Sequence, residues 1–177
     1  MPVPRIVESA VAALLNVVPA RRTLYAHCDI PCGIYDPHEA QISALTALRM
    51  TQLIAELPKI TPELKPEERV AAMAKLARYQ AVKETHCERT KTELRILWGD
   101  YFTPDHLKQY PTLHDSFWGA MKAASKARQG TALADAEDLL KRVQEIAELF
   151  WKSKGAKTHR MPSMQKAGGE LVYPAPA

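Results

Sequence analysis

Ala136-Glu137-Asp138-Leu139-Leu140-Lys141-Arg142-Val143-Gln144-Glu145-Ile146-Ala147-Glu148-Leu149-Phe150-Trp151 is the stretch whose reading decides the fold. Ala136, Leu139, Leu140, Val143, Ile146, Ala147, Phe150 and Trp151 recur at three- and four-residue spacings, with charges between them. A 3.6-residue period gathers them into one apolar stripe, so a helix is predicted from about Thr131 to Lys154. Such a stripe must be buried against other elements of the same kind. Upstream, Gly130 closes a helix opened by Pro111-Thr112, with Leu113, Phe117, Ala120, Met121 and Ala124 at helical spacing.

Further toward the N-terminus, a long charged helix is predicted from Pro66 to about Trp98. Its apolar positions include Val70, Met73, Leu76, Ala77, Val82, Leu94 and Leu97. Its middle, Lys83 to Lys91, is nearly all polar and is expected to be exposed or to face a partner subunit. Gly99-Asp100-Tyr101-Phe102 ends this helix, and Thr103-Pro104 opens a short helical turn. Asp36-Pro37-His38-Glu39 is a helix start, with Asp36 as N-cap, Pro37 at the first position and Glu39 at the third. The helix it opens should run to about Glu56, with Ile42, Leu45, Leu48 and Leu53 inward, and stop at Pro58. The segment 58–66 holds three prolines and reads as a loop. No segment alternates as a strand does, and no internal repeat is present.

The expected fold class is therefore all-α: an up-and-down four-helix bundle over residues 38–154. Residues 155–177, with Gly155, Gly168, Gly169, Pro162, Pro174 and Pro176, are expected to form a flexible C-terminal tail. The first 26 residues carry Ile6, Val11, Leu14, Leu15 and Val18 on one prospective face. Spacing alone makes them an ordinary first helix or an amphipathic leader. Arg21 and Arg22 follow the apolar run instead of preceding it, the reverse of an export signal. A cytoplasmic location is the resulting expectation.

Composition narrows the function classes. The chain has 177 residues, 46% hydrophobic and 25% charged, with a net charge of +4. That small excess is spread out, and no basic run is interleaved with aromatics, so no nucleic-acid partner is expected. No apolar stretch reaches the roughly 20 residues that span a bilayer, so no membrane partner is expected either. The three cysteines, Cys28, Cys32 and Cys87, are an odd count and argue against a disulfide framework.

The distinctive chemistry lies in Ala26-His27-Cys28-Asp29-Ile30-Pro31-Cys32-Gly33-Ile34-Tyr35-Asp36-Pro37. Two thiols stand four residues apart beside an imidazole, and Pro31 and Gly33 let the chain turn so that both sulfurs can reach one ion. Thiolates suit zinc, copper(I) and iron–sulfur centres. Zinc asks for four tetrahedral ligands, and only three side chains are local. A backbone donor completing a plane would instead suit nickel(II) or copper(II). From spacing alone, buried structural thiols, a zinc-binding or thiol-redox helical module, and a metal centre all stay open. Cys87 reads as a small buried or interface side chain. His38 reads as exposed at a helix start, and His106, His114 and His159 are too scattered to be ligands.

The run from His27 to Pro37 resembles the nickel hook of the nickel superoxide dismutases. Val82-Lys83-Glu84, Leu97-Trp98, Asp100-Tyr101-Phe102, Pro104, His106, Tyr110-Pro111, Leu113-His114 and Phe150-Trp151 also follow that family's pattern, so the resemblance spans residues 27–154. It implies an N-terminal metal-binding hook, 27–37, on the helical bundle. It also implies a cleavable leader, 1–26, removed by a maturation peptidase between Ala26 and His27. Nickel, one ion per subunit, would then be bound by the new α-amine and imidazole of His27, the amide nitrogen of Cys28, and the sulfurs of Cys28 and Cys32. Superoxide is the implied substrate and a homohexamer the implied assembly. Asp29, Tyr35 and Tyr101 match positions that order the hook and line anion access. Ser43 and His86 match the positions where the family places a Glu and an Arg behind the axial imidazole. The alternative at this point is a non-catalytic protein that binds nickel or another soft metal, or a thiol-redox protein.

Overall fold

A computed structural model describes residues 33–175. His27, Cys28, Asp29, Cys32 and the proposed leader 1–26 lie outside the described residues. The described chain runs α1 (His38–Ala55), α2 (Pro66–Ile96), a π-helical turn (Leu97–Tyr101), α3 (Pro104–Gln109), α4 (Leu113–Gln129), α5 (Leu133–Ser153), β1 (Thr158–Pro162) and β2 (Glu170–Pro174).

The four long helices form the expected bundle, each packed on two neighbours in the cyclic order α1, α2, α4, α5. The stripe read in α5 is the centre of the core: Ala136, Leu139, Val143, Ala147 and Phe150 are wholly buried. Leu113, Phe117, Ala120 and Ala124 of α4 meet it, as do Ala40, Ala44, Leu45 and Leu48 of α1. Alanines at the α1 and α4 contacts let the helix axes approach closely, and the larger side chains of α5 fill the space between. The start of α1 falls one residue later than predicted, with Pro37 as N-cap and His38 first in the helix, and the His38 N–H donates to Asp36 Oδ1 at 2.7 Å.

In α2 the burial differs from the expectation. Val70 and Met73 are exposed, whereas Lys83, Cys87 and Thr90, within the polar middle, are wholly buried. The reason is that α2 packs on both α1 and α4 through this middle part. Lys83 is accommodated there because its ammonium donates to the carbonyl of Gly130, just past the C-terminus of α4. A cation is favoured at a helix C-terminus, where carbonyls lack partners.

The segment read as a flexible tail is instead a docked hairpin. Strands β1 and β2 pair antiparallel, Thr158 opposite Pro174 through Pro162 opposite Glu170. Leu171 and Val172 are buried against the bundle. Gly169, at φ +70°, lies so close to Leu140 that an added Cβ would come within 3.2 Å of its Cδ2. A five-residue strand with only two buried side chains is too short to show alternation, so the pattern was silent. The helices carry the complementary signal as polar residues: Gln52 Nε2 donates to the Ala167 carbonyl at 2.9 Å, and Gln144 Nε2 donates to the Glu170 carbonyl at 2.6 Å.

Candidate metal centre and anion path

Residues 33–37 form no regular element and lead directly into α1. Gly33 sits at φ +72°, a left-handed conformation that costs a glycine little. Tyr35 follows, and its ring lies 5.6 Å from that of Tyr101, tilted by 57°. The two tyrosines singled out in the sequence, 66 positions apart, are thus brought together.

Tyr101 is set by the π turn that ends α2. The Phe102 N–H donates to the Leu97 carbonyl at 3.2 Å, a five-residue loop in place of the α-helical four. The extra residue re-aims the side chains that follow. Around the Tyr101 ring lie Phe150 at 4.6 Å, Phe102 at 4.9 Å and His106 at 5.6 Å. The Tyr101 hydroxyl is 2.7 Å from Ser153 Oγ, and Ser153 Oγ donates to the Phe150 carbonyl at 2.7 Å. Since the single serine hydrogen is used on that carbonyl, Tyr101 is the donor to Ser153.

One cation borders this cluster. The Lys154 ammonium lies 4.8 Å from the Phe150 ring centroid, 5.5 Å from that of Tyr101 and 5.9 Å from that of Trp151. Each ring face attracts a cation, so the charge is held over the aromatic cluster. Sequence reasoning missed Lys154. Its signal was a lysine one turn after Phe150 in a helix whose end meets Tyr101.

Ser43 and His86 occupy the seam between α1 and α2. Ser43 is wholly buried, and neither its Oγ nor the buried His86 Nδ1 has a hydrogen-bond partner. Buried polar atoms without partners are costly, and such atoms invite a further polar group. One turn away on each helix, Arg89 and Glu39 form an ion pair at 2.8 Å. Burial holds His86 below the usual histidine range; the Arg89 charge pushes it the same way, and Glu39 opposes.

Among the described residues, no group of three or more His, Cys, Asp or Glu could hold a metal ion. Cys87 is wholly buried, and desolvation pushes its thiol up to about 11 against the opposing pull of Lys83, Arg128 and Lys91. A thiol in that state is neither a ligand nor a nucleophile at neutral pH. His106 is tied to Thr103, and His114 accepts from Trp98 Nε1 at 2.7 Å. The donors expected from the sequence, His27, Cys28 and Cys32, lie outside the described residues.

The family described as nickel-containing superoxide dismutase matches residues 22–154. The superoxide dismutase [Ni] of Streptomyces seoulensis is 35% identical over 131 residues, which cover 74% of this chain and 90% of the relative. That of Streptomyces coelicolor is 32% identical over 134 residues, covering 76% and 92%. A native nickel superoxide dismutase structure solved at 1.30 Å superposes with a TM-score of 0.62 at 31% identity, covering 72% of this chain and 99% of that one. A structure with nickel ligation corresponding to the oxidized state gives 0.62 at 33% identity, covering 73% and 100%.

Proposed function

This chain belongs to the nickel-containing superoxide dismutase family, and on that premise we propose that His27, Cys28 and Cys32, freed by cleavage after Ala26, hold its nickel ion. The observation that carries the reading is the family match itself, whose span includes all three ligands and the paired Tyr35 and Tyr101. When bound, nickel supplies one-electron chemistry between Ni(II) and Ni(III), so that two superoxide anions and two protons yield one oxygen and one hydrogen peroxide.

The chain's own residues have separate tasks. Cleavage after Ala26 turns a peptide nitrogen of His27 into an amine, a far better donor, so the uncut chain is inactive. Anionic sulfur from Cys28 and Cys32 makes the higher oxidation state accessible. Ser43 and His86 stand at the positions where the family resemblance places support for the His27 imidazole, and such outer contacts orient metal-bound histidines. Asp29 orders the hook. Tyr35 and Tyr101, whose rings lie 5.6 Å apart, are the residues that the family resemblance assigns to anion access. Lys154 places a positive charge beside that approach, which favours an anionic substrate.

The subunits assemble as a homo-oligomer, a hexamer by analogy with the family. The exposed Val70 and Met73 on the N-terminal half of α2 support a subunit contact there. Among the described residues no helix is long and apolar enough to cross a membrane. We place the protein in the cytoplasm because the leader's charges follow its apolar run.

The test is to express the chain starting at His27 beside the chain with its leader retained, and to load both with nickel. Superoxide turnover and a thiolate-to-nickel absorption are expected only from the form starting at His27. Equal turnover from the uncut form would refute the role of the amine.

A further inference from the structure

We propose that Met164, in the turn of the C-terminal hairpin, is the methionine that hydrogen peroxide oxidises first, and that its placement makes this oxidation harmless to the fold. The proposal rests on the family's dismutation of superoxide, which supplies the peroxide. The family match ends at residue 154, before the hairpin begins, so the family pattern assigns the hairpin no role.

Met164 is 90% exposed, more than any other large hydrophobic side chain among the described residues. An apolar side chain left in water gains nothing from burial. The backbone beneath it is strained as well. Met164 sits at φ +56°, and no other non-glycine residue has a positive φ among the described residues. In that left-handed region a side chain crowds its own backbone. Such a conformation persists only where the surroundings fix it, and it marks positions worth testing for function. Here a set of bonds around Ser163 fixes it. The Ser163 N–H donates to the Gly169 carbonyl at 2.9 Å, and the Gly168 N–H donates to the Gln165 carbonyl at 2.9 Å. Ser163 Oγ donates to the Gly168 carbonyl at 2.5 Å and accepts from the Gln165 N–H at 3.1 Å. These four bonds close the turn, and none of them uses Met164. The turn therefore holds a thioether out in solvent, strained and unpacked.

The reaction is a two-electron oxygen transfer. A lone pair on Met164 Sδ attacks one peroxide oxygen, and the O–O bond breaks. The sulfur is oxidised to the sulfoxide and the peroxide is reduced to water, because the proton on the transferred oxygen passes to the departing hydroxide. Water must reach the sulfur to support this charge separation, so exposure sets the order of reaction. Met73 and Met161 are 57% and 48% exposed, and Met50 and Met121 are half-buried. A sulfoxide is polar and disrupts the packing of an apolar site. At Met121, which packs on the bundle core, it would do so. At Met164 it adds one polar group to a side chain that already stands in water.

The experiment treats the full chain with excess hydrogen peroxide and follows each methionine by peptide mass spectrometry. Met164 is expected to gain one oxygen about threefold faster than Met73 and Met161, and about tenfold faster than Met50 and Met121. Oxidation of any of those four as fast as Met164 overturns the proposal. Met164→Leu, which has no sulfur at this position, is treated alongside. The two proteins should keep equal melting temperatures as Met164 is oxidised. A fall in the wild type beyond that of the variant overturns the harmless placement. A second arm generates superoxide beside the nickel-loaded chain that starts at His27. Met164 should be oxidised there, and catalase should prevent it; oxidation that catalase leaves unchanged overturns peroxide as the oxidant. A chain that forms peroxide no faster than superoxide decays alone overturns the dismutation reading, while the added-peroxide arm still decides Met164.

Discussion

Tyr101 donates its hydroxyl hydrogen to Ser153 at 2.7 Å while its ring lies 5.6 Å from that of Tyr35. The hydroxyl ties the end of the π turn after α2 to the end of α5, and the ring faces the segment that leads into α1. Tyr101→Phe separates these roles, because it removes the bond and keeps the ring. The expected cost is about 1 kcal/mol of unfolding free energy, the usual worth of one such hydrogen bond. Urea unfolding of the two proteins measures it, and an unchanged midpoint would show that the bond adds nothing.

Lys154 is exposed, so its contribution to superoxide capture is screened by salt. Lys154→Gln is expected to lower the second-order rate by about 2- to 5-fold at low ionic strength and to flatten its salt dependence. Lys154→Arg keeps the charge and should keep the salt slope. Pulse radiolysis across a salt series reads both. A slope unchanged by Lys154→Gln would remove this lysine from the account.

His86 gives the protein a pH-dependent stability of stated sign. Its pKa is lowered below the ordinary 6.5 by burial first and by Arg89 second. The unfolded chain then binds a proton that the folded chain refuses. Stability from this residue is complete above about pH 6.5 and declines as pH falls toward the lowered folded value. His86→Gln, neutral at every pH, should flatten the decline. Melting temperatures between pH 7.5 and 5 decide it, and parallel curves for the two proteins would assign the decline to other groups.

Cys87 should be silent in the folded state. A buried thiol with its pKa pushed up to about 11 carries little thiolate at pH 8. In a Cys28→Ser/Cys32→Ser background, a disulfide-exchange reagent is expected to label no thiol until denaturant is added, then one. Rapid labelling of the native protein would mean that the α1–α2–α4 junction opens readily.

The sequence by itself determined the helices and the bundle. The stripe of α5 is a periodic property of one segment, and burial of such a stripe follows from its apolar area. The hydrogen bond at Asp36 is local, between near neighbours. Tertiary structure alone decided what depends on distant partners. Lys83 is buried because the carbonyl of Gly130 receives it, and no property of the Lys83–Lys91 segment announces that acceptor. The hairpin is ordered because Gln41, Gln52 and Gln144 bond its backbone from two helices, although its own residues read as a tail. Tyr35 meets Tyr101 because a π turn adds one residue to the end of a helix. Periodicity reports how a segment divides between core and solvent. It does not report which polar groups from elsewhere will meet it there, and those meetings decide which polar side chains the core admits and whether the hairpin is held.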